Sequence, residues 1–177
     1  MVSLTPAQEK FILQWSEVGI RWGINRTVAR VHALLLVSPG RLSAEEISEA
    51  LGVSRSGLSV ALRELESWKL VRVVHVPKDR REYFEAVQDA WDLFMRIMDE
   101  RKRREIDPVL DLLRNCLADA ECGGRADAPT RERLRDMLQL CELLDGCYGR
   151  LRKMSRQSAL RWIKMGDRVQ RFLEAMK

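Results

Sequence analysis

Apolar positions recur at helical spacing through the first part of the chain. Phe11, Ile12, Trp15, Val18, Gly19 and Trp22 mark one helix. Thr5 can cap it, Pro6 suits its first turn, and Gln8 stands three residues after the cap. Gly23 interrupts the pattern. Asn25 can then cap a second helix through Val28, Val31, Leu34 and Leu35, which Ser38-Pro39-Gly40 ends. Ser43-Ala44-Glu45-Glu46 is a capping box opening a short helix whose inner face is Ile47, Ala50 and Leu51. Gly52-Val53-Ser54 predicts a tight turn, with Ser54 as the next cap. The longer helix after it carries Leu58, Ala61, Leu62 and Leu65 on one face.

Past Trp68 the period changes. Leu70 to Val76 and Tyr83 to Val87 are rich in strand-forming residues, and the polar stretch Pro77 to Glu82 lies between them. This pattern predicts a two-stranded hairpin with a charged tip. From Asp89 on, everything reads as helix. Trp91, Phe94, Met95 and Met98, then Ile106, Val109, Leu110, Leu113 and Leu117, suggest one long helix that Asp107-Pro108 should bend or break. The charged stretch from Asp99 to Glu105 predicts a solvated turn. A loop from Gly123-Gly124 to Pro129 is expected next. Leu134, Met137, Leu138, Cys141, Leu144, Tyr148 and Leu151 mark the following helix, and Trp162, Met165, Val169, Phe172 and Met176 the last. No internal repeat or low-complexity tract is present.

The fold class these elements predict is mainly α with a small β-hairpin wing: a winged helix-turn-helix domain plus long C-terminal dimerisation helices. Residues 1–88 are expected to form one domain, the N-terminal helix with the winged helix-turn-helix, and residues 89–177 a helical region. Composition agrees. The 177 residues include only ten glycines and five prolines, a balance that favours helix. Apolar types make up 46% and charged types 32%, an ordinary globular mixture. No apolar run reaches the ~20 residues of a membrane span, and Met1-Val2-Ser3-Leu4 does not open a secretory signal. A cytoplasmic protein with reduced thiols is expected.

Candidate chemistry narrows this further. No nucleophile elbow, phosphate loop or carboxylate–histidine constellation is present, so an enzyme is not expected. Cys116 and Cys122 are six apart, as are Cys141 and Cys147, and His32 and His75 are remote from them. Structural zinc sites use closer cysteine pairs, so the cysteines read as small apolar side chains and no metal or cofactor is expected. The five tryptophans each fall in an apolar stripe and read as core or interface, so no effector site is assigned.

The order helix, tight turn, longer helix, hairpin is that of a module that seats its second helix in the DNA major groove. With Leu58, Ala61, Leu62 and Leu65 turned inward, the opposite face shows Arg55, Ser56, Ser59, Val60 and Arg63. Short hydroxyls permit close approach to phosphates and base edges, and arginine pairs bidentately with guanine. Ser54 and Gly57 lie at the helix start, where backbone amides can receive a phosphate. Lys78, Arg80 and Arg81 form the basic hairpin tip. From Arg55 to Arg81 seven basic residues face three acidic ones, against 31 and 26 in the whole chain. The expected partner is an operator in double-stranded DNA. A winged-helix module that docks onto another protein without specific DNA binding is the alternative.

Three segments resemble the GbsR branch of the MarR-type regulators. These are Trp22 to Leu36, Gly52 to Leu65 around the second helix, and Lys78-Asp79-Arg80-Arg81-Glu82-Tyr83, where an Asp-Arg pair is typical. Pro77-Lys78 stands where that branch often has a glycine. The resemblance is good from Trp22 to Val87 and general in length and helicity beyond. It implies a homodimeric transcription regulator, commonly a repressor released by a small molecule. The wide, methionine-rich stripes after Asp89 suit a dimer interface. Lys153, Arg161, Lys164, Arg168 and Arg171 are expected to be solvated or to pair with Glu132, Asp136, Glu142 and Asp145.

Overall fold

The computed structural model describes residues 4–122 and 128–175; the side chains of 121, 122, 163, 167–173 and 175 stand outside that description. Its elements are α1 (Pro6–Arg21), α2 (Arg26–Val37), β1 (Leu42–Ser43), α3 (Ala44–Leu51), α4 (Arg55–Ser67), β2 (Val71–His75), β3 (Glu82–Ala86), α5 (Ala90–Arg101), α6 (Asp107–Cys122), α7 (Ala128–Lys153) and α8 (Arg156–Ala175). A π-helical turn, Lys102–Ile106, joins α5 to α6. The chain divides into two compact units, Met1–Met98 and Asp99–Lys177.

In the first unit the helix starts follow local chemistry. Thr5 and Gln8 form a reciprocal capping box on α1. The Asn25 side chain accepts from the Thr27 amide at 2.8 Å. Helix α2 is the centre of the core, with Val31, Ala33 and Leu34 fully buried. It packs on α1, α3, α4 and the sheet. The α1–α2 crossing needs Gly19, because a Cβ there would stand 3.0 Å from that of Ala29. Phe11 and Trp15 stack at 5.5 Å on the flank. Leu58, Ala61, Leu62 and Leu65 of α4 close the core from below, with Phe84 and Ala86 of β3 behind them.

The sheet has one strand more than the hairpin. Its order is β1-β3-β2, all antiparallel. Leu42 pairs with Phe84 and Ser43 with Tyr83. The hairpin register runs from Val71↔Ala86 to His75↔Glu82, and the Val87 amide extends it to the Leu70 carbonyl. Ser43 thus serves two elements: it ends β1 and caps α3. Its hydroxyl accepts from the Glu46 amide at 3.3 Å, and the Glu46 carboxylate accepts from the Ser43 amide at 2.7 Å. Because Ser43 is also buried, Ser43→Ala is expected to cost about 1 kcal/mol, within the usual range for a lost cap. Urea unfolding of the variant beside the parent measures it; equal midpoints would refute it.

Asp107-Pro108 does not break the long helix. Proline lacks an amide proton, and its ring clashes with the carbonyl four residues back in an α-helix. The turn before it widens instead, and the Asp107 amide donates to the Lys102 carbonyl, five residues back. The charged stretch around this turn is heavily paired as well as solvated. Glu100 binds Arg103 at 2.6 Å and also binds Arg104. Lys102 binds Asp107, and reaches Asp145 of α7 at 3.0 Å.

In the second unit α6 and α7 pack side by side. Arg114 binds Glu142 at 3.0 Å, and Asp99 receives the Tyr148 hydroxyl at 2.5 Å and Arg152 at 3.0 Å. Glu142 and Asp145 therefore pair with residues N-terminal to them in the chain, Arg114 and Lys102. Lys153 is the last residue of α7. Pro129 lies inside the first turn of α7; positions 123–127 of the expected loop lie outside the described residues, as do the side chains of Arg168, Arg171, Val169, Phe172 and Met176. Helix α7 shows two stripes. Leu134, Leu138, Cys141, Asp145 and Tyr148 are half-buried. Met137, Leu140, Leu143 and Leu144 are exposed, as are Val109 and Leu112 of α6 and Trp162 and Met165 of α8. Cys116, Cys141 and Cys147 are free thiols. Among the described residues no helix is long and apolar enough to cross a membrane, and no three metal-ligating side chains come together.

Candidate nucleic-acid interface

The turn between α3 and α4 is fixed from three sides. Gly52 caps α3 in the left-handed region, at φ 62°, where a side chain would be strained. The Ser48 hydroxyl donates to the Val53 carbonyl at 2.8 Å, and Arg30 of α2 donates to the Leu51 carbonyl at 3.0 Å. Helix α4 therefore leaves the turn at a defined angle. The Ser54 hydroxyl accepts from the Gly57 amide at 3.2 Å and lies 3.3 Å from the Ser56 hydroxyl. The Gly57 amide is thus taken by the cap instead of standing open to a phosphate. A Cβ at Gly57 would stand 3.2 Å from that same hydroxyl, so glycine keeps the cap uncrowded.

The two faces of α4 separate cleanly. Leu58, Ala61, Leu62 and Leu65 are buried. Arg55, Ser56, Ser59, Val60 and Arg63 are exposed along the other side. The Arg63 guanidinium donates to the Ser59 carbonyl one turn back at 3.3 Å, which lays it along its own helix. Arg55 has no ion pair among the described residues. The outer face therefore presents two guanidinium groups, small hydroxyls and one valine methyl pair. Those are the groups that read major-groove edges.

The wing tip is more ordered than a charged loop need be. Lys78 takes the left-handed conformation, φ 69°, in place of a glycine. It is exposed, as is Arg80, and neither has an ion pair among the described residues. Arg81 differs. Its guanidinium grips Asp79 at 2.7 Å and 3.1 Å, and its amide donates to the same carboxylate at 3.0 Å. The Tyr83 hydroxyl donates to Asp79 as well, at 2.8 Å. The hydrogen bonds from Arg81 hold the Asp79 carboxyl well below the usual carboxylate range, with that from Tyr83 adding to them. Asp79 in turn keeps Arg81 charged and pushes the Tyr83 phenol up. The guanidinium of Arg81 lies over the Tyr83 ring, 5.3 Å from its centre, and that of Arg41 lies over the same ring at 5.9 Å.

Thus the structure gathers Ser54, Arg55, Ser56, Gly57, Ser59 and Arg63 on one helix and Lys78, Arg80 and Arg81 on one hairpin tip. Sequence reasoning missed the roles of Asp79 and Tyr83. Their spacing was the signal: Asp79, Arg81 and Tyr83 stand two residues apart through the hairpin tip, close enough for one carboxylate to meet both a guanidinium and a phenol.

Comparison with known proteins follows these elements. Residues 22–82 match the model of the MarR family, a span that holds all nine of those residues. The putative HTH-type transcriptional regulator YvaV of Bacillus subtilis (strain 168) is 25% identical over 119 residues, which cover 59% of this chain and 67% of that one. A crystal structure of a transcriptional regulator superposes with a TM-score of 0.62 at 25% identity, covering 90% of this chain and 99% of that one. That likeness runs past the wing into the long C-terminal helices. Residues 22–82 are thus similar to the MarR family over the helix-turn-helix and wing, and the chain that carries them is a transcriptional regulator, a class of protein that works by binding and not by turnover.

Proposed function

We propose that this chain is a sequence-specific DNA-binding repressor of the GbsR branch, working as a homodimer that a small molecule releases from its operator. The observation that carries the reading is the division of α4, whose apolar side is sealed in the core while Arg55, Ser56, Ser59 and Arg63 stand outward beside a basic wing. Ser54 and Gly57 set the start of that helix, and Lys78, Arg80 and Arg81 carry the wing. Residues 1–88 serve the duplex; residues 89–177 serve the second subunit and the effector. The exposed apolar stripes of α6, α7 and α8, with Leu13 and Trp22 of α1, support a dimer. Such a dimer sets two recognition helices about one DNA turn apart, ~34 Å. It works in the cytoplasm beside the DNA it reads.

Gel-shift against the protein's own upstream region, beside a scrambled duplex, tests the reading. A preferential shift of the upstream duplex supports it. No specific shift at moderate salt, together with a co-purifying protein partner, favours a protein-docking module instead. Three variants divide the labour within the interface. Arg63→Ala is expected to cost about 1–3 kcal/mol on the operator and to relax preference at one position, as loss of a base contact does. Arg81→Ala should weaken operator and scrambled duplex alike, as loss of a phosphate contact does. Arg80→Ala should do some of both, because an unpaired arginine entering a narrow minor groove reads shape. If none of the three moves affinity or salt slope, the reading falls.

A further inference from the structure

Tyr83 sits on the central strand of the sheet, and its ring carries two guanidinium groups from different elements. Arg81 comes from the wing tip just before β3, and Arg41 is the residue just before β1. Pairing of Ser43 with Tyr83 sets β1 against this point of β3, so Arg41 is brought to the base of the wing by the sheet and not by the hairpin. A cation over a tyrosine face is attracted by the ring quadrupole without being neutralised. Both guanidinium groups are thereby oriented while keeping N–H groups to offer.

Their charges are not equivalent. Arg81 arrives with a carboxylate, Asp79, at 2.7 Å. Arg41 is exposed and has no ion pair among the described residues. Glu46 is the other carboxylate whose charge reaches Arg81 and Tyr83, and it is engaged by the Ser43 amide as the α3 cap. Of the two guanidinium groups on the Tyr83 ring, the one without a carboxylate among the described residues is therefore that of Arg41. An exposed, oriented and unpaired guanidinium beside a duplex-facing wing is suited to a phosphate oxygen.

We propose that Arg41 is a further DNA-backbone-binding residue, forming with Arg81 a two-arginine phosphate clamp on the Tyr83 ring that widens the wing's footprint onto β1. The inference rests on the DNA-binding reading above and adds a contact outside both the helix-turn-helix and the hairpin. It also assigns Tyr83 the part of a positioning residue, acting through the guanidinium groups it holds.

The test uses the full chain and a scrambled duplex, so that phosphate binding is measured free of base readout. Fluorescence anisotropy of the labelled duplex, titrated from about 50 to 200 mM salt, gives the dependence of affinity on salt. Arg41→Ala and Arg41→Gln should each make the logarithmic slope shallower by about one unit and weaken binding roughly tenfold at low salt. Arg41→Lys keeps the charge and should keep the slope. Arg41 is a surface side chain, so thermal melts of all three should match the parent. If the parent binds and the alanine and glutamine variants bind with its slope, the clamp is wrong while the DNA-binding reading stands. If the lysine variant loses as much as the alanine variant, charge is not the cause and the clamp is again overturned. If the parent shows no salt-dependent binding to any duplex, the DNA-binding reading fails and the clamp with it.

Discussion

Acidification from pH 7 to pH 4 should remove about 3 kcal/mol of folding stability through His32 alone. This imidazole lies in the middle of α2, 6% exposed, and its Nε2 has no hydrogen-bond partner among the described residues. Burial lowers its pKa from the ordinary 6.5 to about 4, because the apolar core favours the neutral ring. In the unfolded chain the ring titrates near 6.5. Above that pH both states hold a neutral ring, and the stability is fully present. Between about 6.5 and 4 the unfolded chain takes up a proton that the native core refuses, so stability falls with the pH. Below about 4 the native ring protonates too, and this contribution levels off. A loss of this size is a large share of the 5–15 kcal/mol of a typical domain. Urea unfolding at fixed protein concentration, at several pH values across that window, measures it. His32→Leu fills a similar volume without a titrating group and should flatten the slope. Parent and variant curves that run parallel from pH 7 to pH 4 would overturn the assignment.

Why the helix-turn-helix was legible and its surroundings less so is a matter of where each element gets its information. The capping boxes at Thr5 and Ser43, the left-handed Gly52 and the stripe Leu58, Ala61, Leu62 and Leu65 are local, and each appears in the structure as its pattern implies. Strand β1 is two residues long. It has no period to detect and exists because Tyr83 and Phe84 lie beside it, which only the folded sheet arranges. The π-helical turn escaped for another reason. The rule that proline breaks a helix describes the α geometry, and the chain avoided the clash by changing geometry one turn earlier. In the interface, Arg55, Ser59 and Arg63 could be placed by helical phase. Arg41 could not, because no local periodicity links it to Tyr83, forty-two positions on. Periodicity also marks an apolar stripe without saying what covers it. Leu110 and Leu113 are buried in the chain itself, while Leu112, Leu140 and Leu144 are more than half exposed.

That exposed stripe carries the larger expectation for function. Leu140 and Leu144 are 58% and 59% exposed, and they lie one helical turn apart on the side of α7 away from its half-buried seam. In a lone chain, glutamate at either position would meet water and disturb nothing. In a homodimer closed over this stripe, the double substitution Leu140→Glu/Leu144→Glu would place four carboxylates in a shared apolar contact. Each would have to be desolvated without a partner, at several kcal/mol apiece. An interface of roughly 2,000 Å² cannot absorb that, so the variant should sediment as a monomer at micromolar concentration while the parent sediments at twice the chain mass. Its melt should lose only what dimerisation contributes to the parent. The consequence for DNA is greater than for the fold. Two linked half-site contacts gain about 10²–10⁴-fold over either alone, and a monomer forfeits that gain. The double variant should therefore bind the operator about 10²–10⁴-fold more weakly while its affinity for a single half-site stays that of the parent's single domain. Arg63→Ala acts in the opposite sense, weakening each half-site and leaving the mass unchanged. A parent that sediments as a monomer, or a double variant that stays dimeric and binds the operator like the parent, would show that this stripe is not where two copies meet.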